Sequence, residues 1–200
     1  MKILAISDTE EKYLWDYYQP GRFGGLDLIL AAGDLNRKYL EFIATMSRAP
    51  VLYVPGNHDG SYLTQPPQGC QCIDDKLVVF QGVRILGLGG SMKYNGGAYQ
   101  YTEREMGLRI ARRRMDLWRH KGIDILLTHS PAFGRNDATD RAHTGFDCFN
   151  DLVQVYQPKF HIYGHVHTSY TGGKAPLERV GATRLINACG RVVLDYPPRP

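Results

Sequence analysis

Val54-Pro55-Gly56-Asn57-His58-Asp59-Gly60 decides how this chain is read. An apolar, β-branched run, Val51 to Val54, stops at a proline and a glycine, and an amide, an imidazole and a carboxylate follow at once. That order describes a buried strand whose C-terminal end turns sharply and presents three polar side chains at the rim of a sheet. The rim at the carboxyl ends of strands is where open α/β sheets bind ligands. Four other segments repeat the arrangement: Ile3 to Glu10, Leu28 to Asp34, Ile125 to His129 and Phe160 to His167. Each is an apolar run of strand length, too short for an ordinary helix, that ends in Asp, Glu or His.

Taken together, Asp8-Thr9-Glu10, Gly33-Asp34, Gly56-Asn57-His58-Asp59, Thr128-His129 and Gly164-His165-Val166-His167 closely resemble the motif set of the calcineurin-like metallophosphoesterase family. The resemblance runs from Asp8 to His167. Leu127 to Pro131 and Pro158 to His165 look most like its small single-domain, phosphodiesterase-like branch. The family pattern begins Asp-x-His, so Glu10 is a departure.

This resemblance implies two divalent metals. Asp8, Asp34 and His167 would hold the first, with Glu10 standing where that metal's histidine belongs. Asp34 would bridge to the second, completed by Asn57, His129 and His165. The residue types agree: side chains two apart on an extended segment point the same way, so Asp8 with Glu10, and His165 with His167, can share a rim. A short two-oxygen carboxylate can bridge metals about 3.5–4 Å apart. Carboxylate, imidazole and amide donors suit Mn²⁺ foremost, with Fe²⁺, Zn²⁺ or Mg²⁺ as alternatives. Glu10 is expected to ligate through a carboxylate oxygen.

Two such metals clamp a phosphoryl group and lower the pKa of a water between them. His58 is the expected acid for the leaving oxygen, with Asp59 to orient and charge it. The function implied is hydrolysis of a small, nucleotide-like phosphate diester, ahead of a phosphomonoester. Glu10 keeps open another class, a non-catalytic interaction scaffold on the same fold.

Composition narrows the rest. Two hundred residues, 43% hydrophobic and 22% charged, suit one soluble domain spanning 1–200. A net charge of +4, with basic residues clustered only locally as at Arg112-Arg113-Arg114, argues against a nucleic-acid partner. No run approaches the about 18 apolar residues of a membrane span. The N-terminus is a strand running into Asp8, not a signal peptide. Cys70, Cys72, Cys148 and Cys189 have no disulfide-framework spacing, which fits a reducing cytoplasm.

The remaining chain alternates strands and helices. A helix or turn fits Glu11 to Tyr18, and the stripe Leu40, Phe42, Ile43 and Met46 predicts a helix over 38–47. Ser61 to Gly69 reads as a surface loop at the site. Leu77 to Phe80 and Val83 to Leu88 read as a hairpin. In the Gly/Tyr-rich stretch 87–101, Tyr94, Asn95 and Tyr99 are either turn residues or substrate contacts. Thr102-x-x-Glu105 is a capping box opening a long helix to about His120, with Leu108, Ala111, Met115 and Trp118 on one face. Ala132 to Thr144 is a long polar loop of the sort that carries function. A helix is expected over Phe149 to Tyr156, and two strands around Gly190 are expected to close the second sheet. His161 reads as structural, and His120 and His143 as surface residues. The fold class expected is α/β, a four-layer α-β-β-α sandwich of two facing mixed sheets with helices outside.

Overall fold

The computed structural model describes residues 1–137, 140, 142–167 and 178–197. In chain order the elements begin β1 (Lys2–Ser7), β2 (Leu28–Ala31), α1 (Arg37–Met46), β3 (Val51–Tyr53) and β4 (Cys70–Cys72). They continue with β5 (Lys76–Phe80), β6 (Val83–Leu88), β7 (Ser91–Met92), β8 (Gln100–Tyr101), α2 (Glu103–Arg112) and α3 (Arg114–Arg119). The chain closes with β9 (Ile125–Thr128), α4 (Asp147–Tyr156), β10 (Phe160–Tyr163), β11 (Glu178–Val180), β12 (Thr183–Asn187) and β13 (Gly190–Asp195).

Two mixed sheets result. One has the order β13-β1-β2-β3-β4 and the other β11-β12-β10-β9-β6-β5. In the first, β1 through β4 run parallel and β13 returns antiparallel along β1, with Ile3 opposite Leu194. In the second, β6, β9, β10 and β12 are parallel, and β5 and β11 are antiparallel edges.

Strand alternation sorts side chains between layers. Ile3, Ala5, Leu28, Leu30 and Leu52 point inward to meet Ile85, Ile125, Leu127, Phe160 and Ile162 of the facing sheet. Their neighbours Leu4, Ile6, Ile29 and Val51 point outward onto Tyr39, Leu40 and Ile43 of α1. On the far side, Leu86, Leu88 and Leu126 pack against Met106, Leu117, Phe149 and Leu152 from α2, α3 and α4. Strands buried on both faces explain why the sequence shows unbroken apolar runs. Full burial of each such side chain stabilises by about 1.5–3 kcal/mol. The expected four-layer architecture is what forms.

Caps set the helix starts. The side chain of Asn36 accepts from the N–H of Lys38 to open α1, and Thr102 with Glu105 forms the expected capping box at α2. The predicted 102–120 helix, however, breaks at Arg113, whose N–H bonds back to Ile110. Its orientation also differs from expectation. Leu108, Met115 and Trp118 are 51%, 61% and 77% exposed, whereas Met106, Arg109 and Leu117 are buried. The helix carries two apolar stripes, and the Arg109 guanidinium chooses between them. It reaches under the helix to Asp74 (2.5 Å), Asp75 (2.8 Å) and the carbonyl of Gly89 (2.8 Å).

The tail also departs from expectation. β12 does join the second sheet, but β13 crosses to the first and covers the open edge of β1. Glu11 to Tyr18 forms turns, and Gly60–Leu63 is a short 3-10 turn. Residues 138, 139 and 141 of the expected 132–144 loop lie outside the described residues.

Candidate functional site

The polar strand ends gather at one rim of the sandwich. Asp8 follows β1, Asp34 follows β2, Asn57 and His58 follow β3, His129 follows β9, and His165 and His167 follow β10. Three of these residues turn sharply: Asp8, Asp34 and His165 have φ of 59°, 55° and 68°. Left-handed backbone at a residue with a side chain costs on the order of 1–3 kcal/mol and collects at functional sites. Here it bends each side chain back over the rim as its strand ends.

The motif glycines leave room for these carboxylates. A Cβ on Gly56 would overlap the carboxylate of Asp34, and one on Gly164 would overlap Ser7 Oγ and Asp8 Oδ2. That is the physical reason for Gly before Asn57 and before His165.

Asp34 lies at the centre. Its Oδ1 accepts the backbone N–H of His58 at 2.8 Å, and its Oδ2 lies 3.3 Å from His129 Nε2. His129 is wholly buried. It donates from Nδ1 to the carbonyl of Ala32 (2.7 Å), which aims Nε2 at Asp34 and at Asn57 Oδ1, 3.1 Å away. Burial alone would raise the Asp34 carboxyl, but the charge and hydrogen bond of His129 and the His58 N–H bring it down to about 2. Burial opposes the His129 imidazolium, and the Asp34 charge and hydrogen bond outweigh it, lifting the imidazole to about 9.

His165 is held in the opposite state. Burial, and then the charge of His129, depress it to about 3. Its Nε2 donates to the carbonyl of Ala142 (2.7 Å), leaving the lone pair of Nδ1 free. Asp34, His129 and His165 each present a ligand atom within 4.8 Å of the others. An ionised carboxylate, a neutral imidazole with a free lone pair and a second imidazole oriented by a backbone carbonyl make a donor set that fits a divalent cation.

Asp8 adds a second carboxylate. Its Oδ2 is fixed by Ser7 Oγ (2.5 Å) and the N–H of His165 (2.9 Å), and burial pushes its pKa up against the nearby His129 charge. Asp8, Asp34, Asn57, His58, His165 and His167 share the wall of one pocket of about 130 Å³. His167 Nδ1 lies 3.8 Å from Cys189 Sγ.

Two residues of the expected set face elsewhere. Glu10 Oε1 accepts the backbone N–H of Asn36 (3.1 Å), and its side chain lines a neighbouring cavity. Asp59 is buried, and its Oδ2 accepts the N–H groups of Asp34 (2.8 Å) and Gly56 (2.7 Å). It braces the two loops that carry the ligands, and burial first of all raises it to about 7. The carboxylate nearest the His58 imidazole is Asp34, at 4.0 Å from Nε2.

Tyr94, Ala142 and His143 complete the wall of the small pocket. Tyr94, one of the three candidates from the Gly/Tyr-rich stretch, accepts from Asn57 Nδ2 at 3.3 Å. His143, expected at the surface, packs its ring 5.0 Å from that of His165 and bonds Asp140 through Nδ1 (2.9 Å). No motif marks His143; the length of its loop is the one signal. His161 is structural as expected, fully buried on β10 with Nε2 2.9 Å from the Thr128 hydroxyl.

Known proteins resemble this chain along most of its length. The family model described as calcineurin-like phosphoesterase matches residues 1–169. The human metallophosphoesterase domain-containing protein 1 is 26% identical over 174 residues, covering 80% of this chain and 48% of the relative. Two UPF0046 proteins of Caenorhabditis elegans are each 25% identical; one match covers 64% of this chain and 33% of the relative, the other 100% and 82%. The chain thus spans half or less of two of these relatives. Among solved structures, TT1561 of Thermus thermophilus superposes with a TM-score of 0.61 at 16% identity, covering 94% of this chain and 89% of that one. Another superposes with a TM-score of 0.68 at 17% identity, covering 97% and 94%.

Proposed function

Because this chain belongs to the calcineurin-like phosphoesterase family, we propose that it hydrolyses small phosphate diesters at the rim formed by Asp8, Asp34, Asn57, His58, His129, His165 and His167. The observation that carries the reading is the convergence of Asp34, His129 and His165 within 4.8 Å, beside an exposed His58.

In this reading Asp8, Asp34 and His167 hold one divalent ion, and Asp34, Asn57, His129 and His165 the other. Bound there, such ions supply charge neutralisation for the phosphoryl group and an activated water. The protein's own groups do the rest. Ser7 and the His165 N–H hold Asp8 Oδ2, leaving Oδ1 to bind. Ala32 and Ala142 fix the tautomers of His129 and His165. Tyr94 accepts from Asn57 and keeps its own O–H to donate into the pocket. His58, its Nε2 4.0 Å from Asp34, gives the proton on Nε2 to the leaving oxygen as the P–O bond breaks.

The donor chemistry favours Mn²⁺. The test is purification with elemental analysis, followed by a screen with Mn²⁺ over generic mono- and diesters. Stoichiometric metal with diester turnover above monoester turnover supports the reading. A chain that takes up no metal and hydrolyses neither ester would instead be the interaction scaffold, which only the orientation of Glu10 toward Asn36 favours.

A further inference from the structure

Beside the small pocket lies a second cavity of about 490 Å³ whose walls include Asp34 and His58, the two residues it shares with the first. Its other polar walls include Arg37 and Lys38 from the start of α1, Asp59, Ser61 and Gln65 from the central motif and the segment after it, and Glu10. By sequence, 61–69 is a surface loop at the site. In the structure the Tyr62 hydroxyl bonds the carbonyl of Leu35, which docks that segment against the residues just after Asp34.

Two cations line this cavity, Arg37 and Lys38. Lys38 is exposed, and its ammonium has no ion-pair or hydrogen-bond partner among the described residues. Arg37 gives one N–H to Gln65 Oε1 (3.0 Å) and stands 3.7 Å from Glu41, leaving further donors of its planar fork. Three carboxylates share the lining: Glu10, with an oxygen already committed to the Asn36 N–H, Asp59, whose Oδ2 accepts two backbone N–H groups, and Asp34, whose charge the proposed ions would take up. His58 matters here because it is the proposed donor to the leaving oxygen. A leaving group protonated by His58 departs on the side that His58 faces, and His58 lines this cavity.

We propose that this cavity is the subsite for the leaving half of the substrate, and that Arg37 and Lys38 select diesters whose leaving alcohol carries a second anionic group, a phosphate or a carboxylate. The proposal rests on the phosphoesterase reading above and deepens it. A diester charged only at the scissile phosphate, such as a simple cyclic monophosphate, offers neither cation a partner on the leaving side.

Two chromogenic diesters test it: phenyl 4-nitrophenyl phosphate and phenyl 3-carboxy-4-nitrophenyl phosphate, whose leaving groups have similar acidity and differ by one carboxylate. The metal-loaded protein is expected to show about 10-fold higher kcat/KM for the carboxylated ester, the scale of one hydrogen bond to a charged group. The preference should shrink in high salt, because the cavity is open to solvent. In Arg37→Gln/Lys38→Gln the ratio should fall toward about 1. Equal kcat/KM for the two esters in the wild type, or a preference that survives the double variant, overturns the subsite while leaving the phosphoesterase reading intact. Binding of the two free nitrophenols, followed by calorimetry at a pH where both phenols are neutral, separates the remaining case. If neither ester turns over yet the carboxylated phenol binds more tightly in an Arg37- and Lys38-dependent way, the cavity stands and the phosphoesterase reading fails. If it binds no more tightly than the plain phenol, the subsite fails with it.

Discussion

Metal uptake should expel a proton from His129, and the pH dependence of affinity should report it. In the metal-free protein Asp34 lifts His129 to about 9, against a burial that alone would depress it. At pH 7 the imidazole is therefore charged, and it must be neutral to bind a cation. Neutralising it two pH units below its pKa costs about 2.7 kcal/mol, at about 1.36 kcal/mol per unit. Affinity for Mn²⁺ should accordingly be on the order of 100-fold weaker at pH 7 than above pH 9, rising about tenfold per pH unit between. The assay is competition with a chelator of known pH dependence, together with proton release recorded by an indicator in weak buffer at pH 7. Affinity that is flat from pH 7 to 9, with no proton released, would refute the ion-pair account of the metal-free site and the place of His129 among the ligands.

His58→Ala should keep its metal and lose on the order of 10²–10⁴ in turnover, less for esters with good leaving groups, which need no proton; an equal loss for both kinds argues against the acid role. Glu10→Gln should leave metal content unchanged and cost about 1 kcal/mol, because the structure commits that carboxylate to one backbone N–H; loss of one ion per chain would make Glu10 a ligand after all. Arg109→Met should destabilise the fold by about 3–5 kcal/mol in urea titration, since it strands the half-buried Asp74 and breaks a paired charge network. In the metal-free protein, burial raises Asp59 from 3.8 to about 7, so its contribution is complete below pH 3.8 and is lost as pH rises through 7. Asp59→Asn should remove that portion of the pH dependence, up to about 4 kcal/mol, measured by unfolding in chelator at pH 4 and pH 8.

Read alone, the sequence carried the sandwich and most of its rim, because both are local patterns. Apolar runs of four to six residues ending in Asp, Asn or His declare a buried strand and a polar strand end together, and parallel strands deliver those ends to one edge. Gly33, Gly56 and Gly164 belong to the motifs that carry the family resemblance, although only the structure shows that the last two make way for the carboxylates of Asp34 and Asp8.

What tertiary structure decided were choices between local patterns of equal merit. Residues 190–195 alternate well enough for the edge of either sheet; the open edge of β1 takes them, through antiparallel pairing of Lys2–Ser7 with Gly190–Asp195. The 103–119 segment has two apolar stripes, and no periodicity reveals that Arg109 will find Asp74 and Asp75 some 35 positions back in the chain. Glu10 Oε1 takes the Asn36 N–H once α1 has docked, a contact that no spacing in the sequence reveals. Asp59 sits next to His58 in sequence, but at a chain reversal neighbours diverge, and it turns inward to hold Asp34 and Gly56. Tyr94 and His143 come to the site from loops whose positions are set by long-range packing, so their approach to Asn57 and His165 exists only in the folded chain.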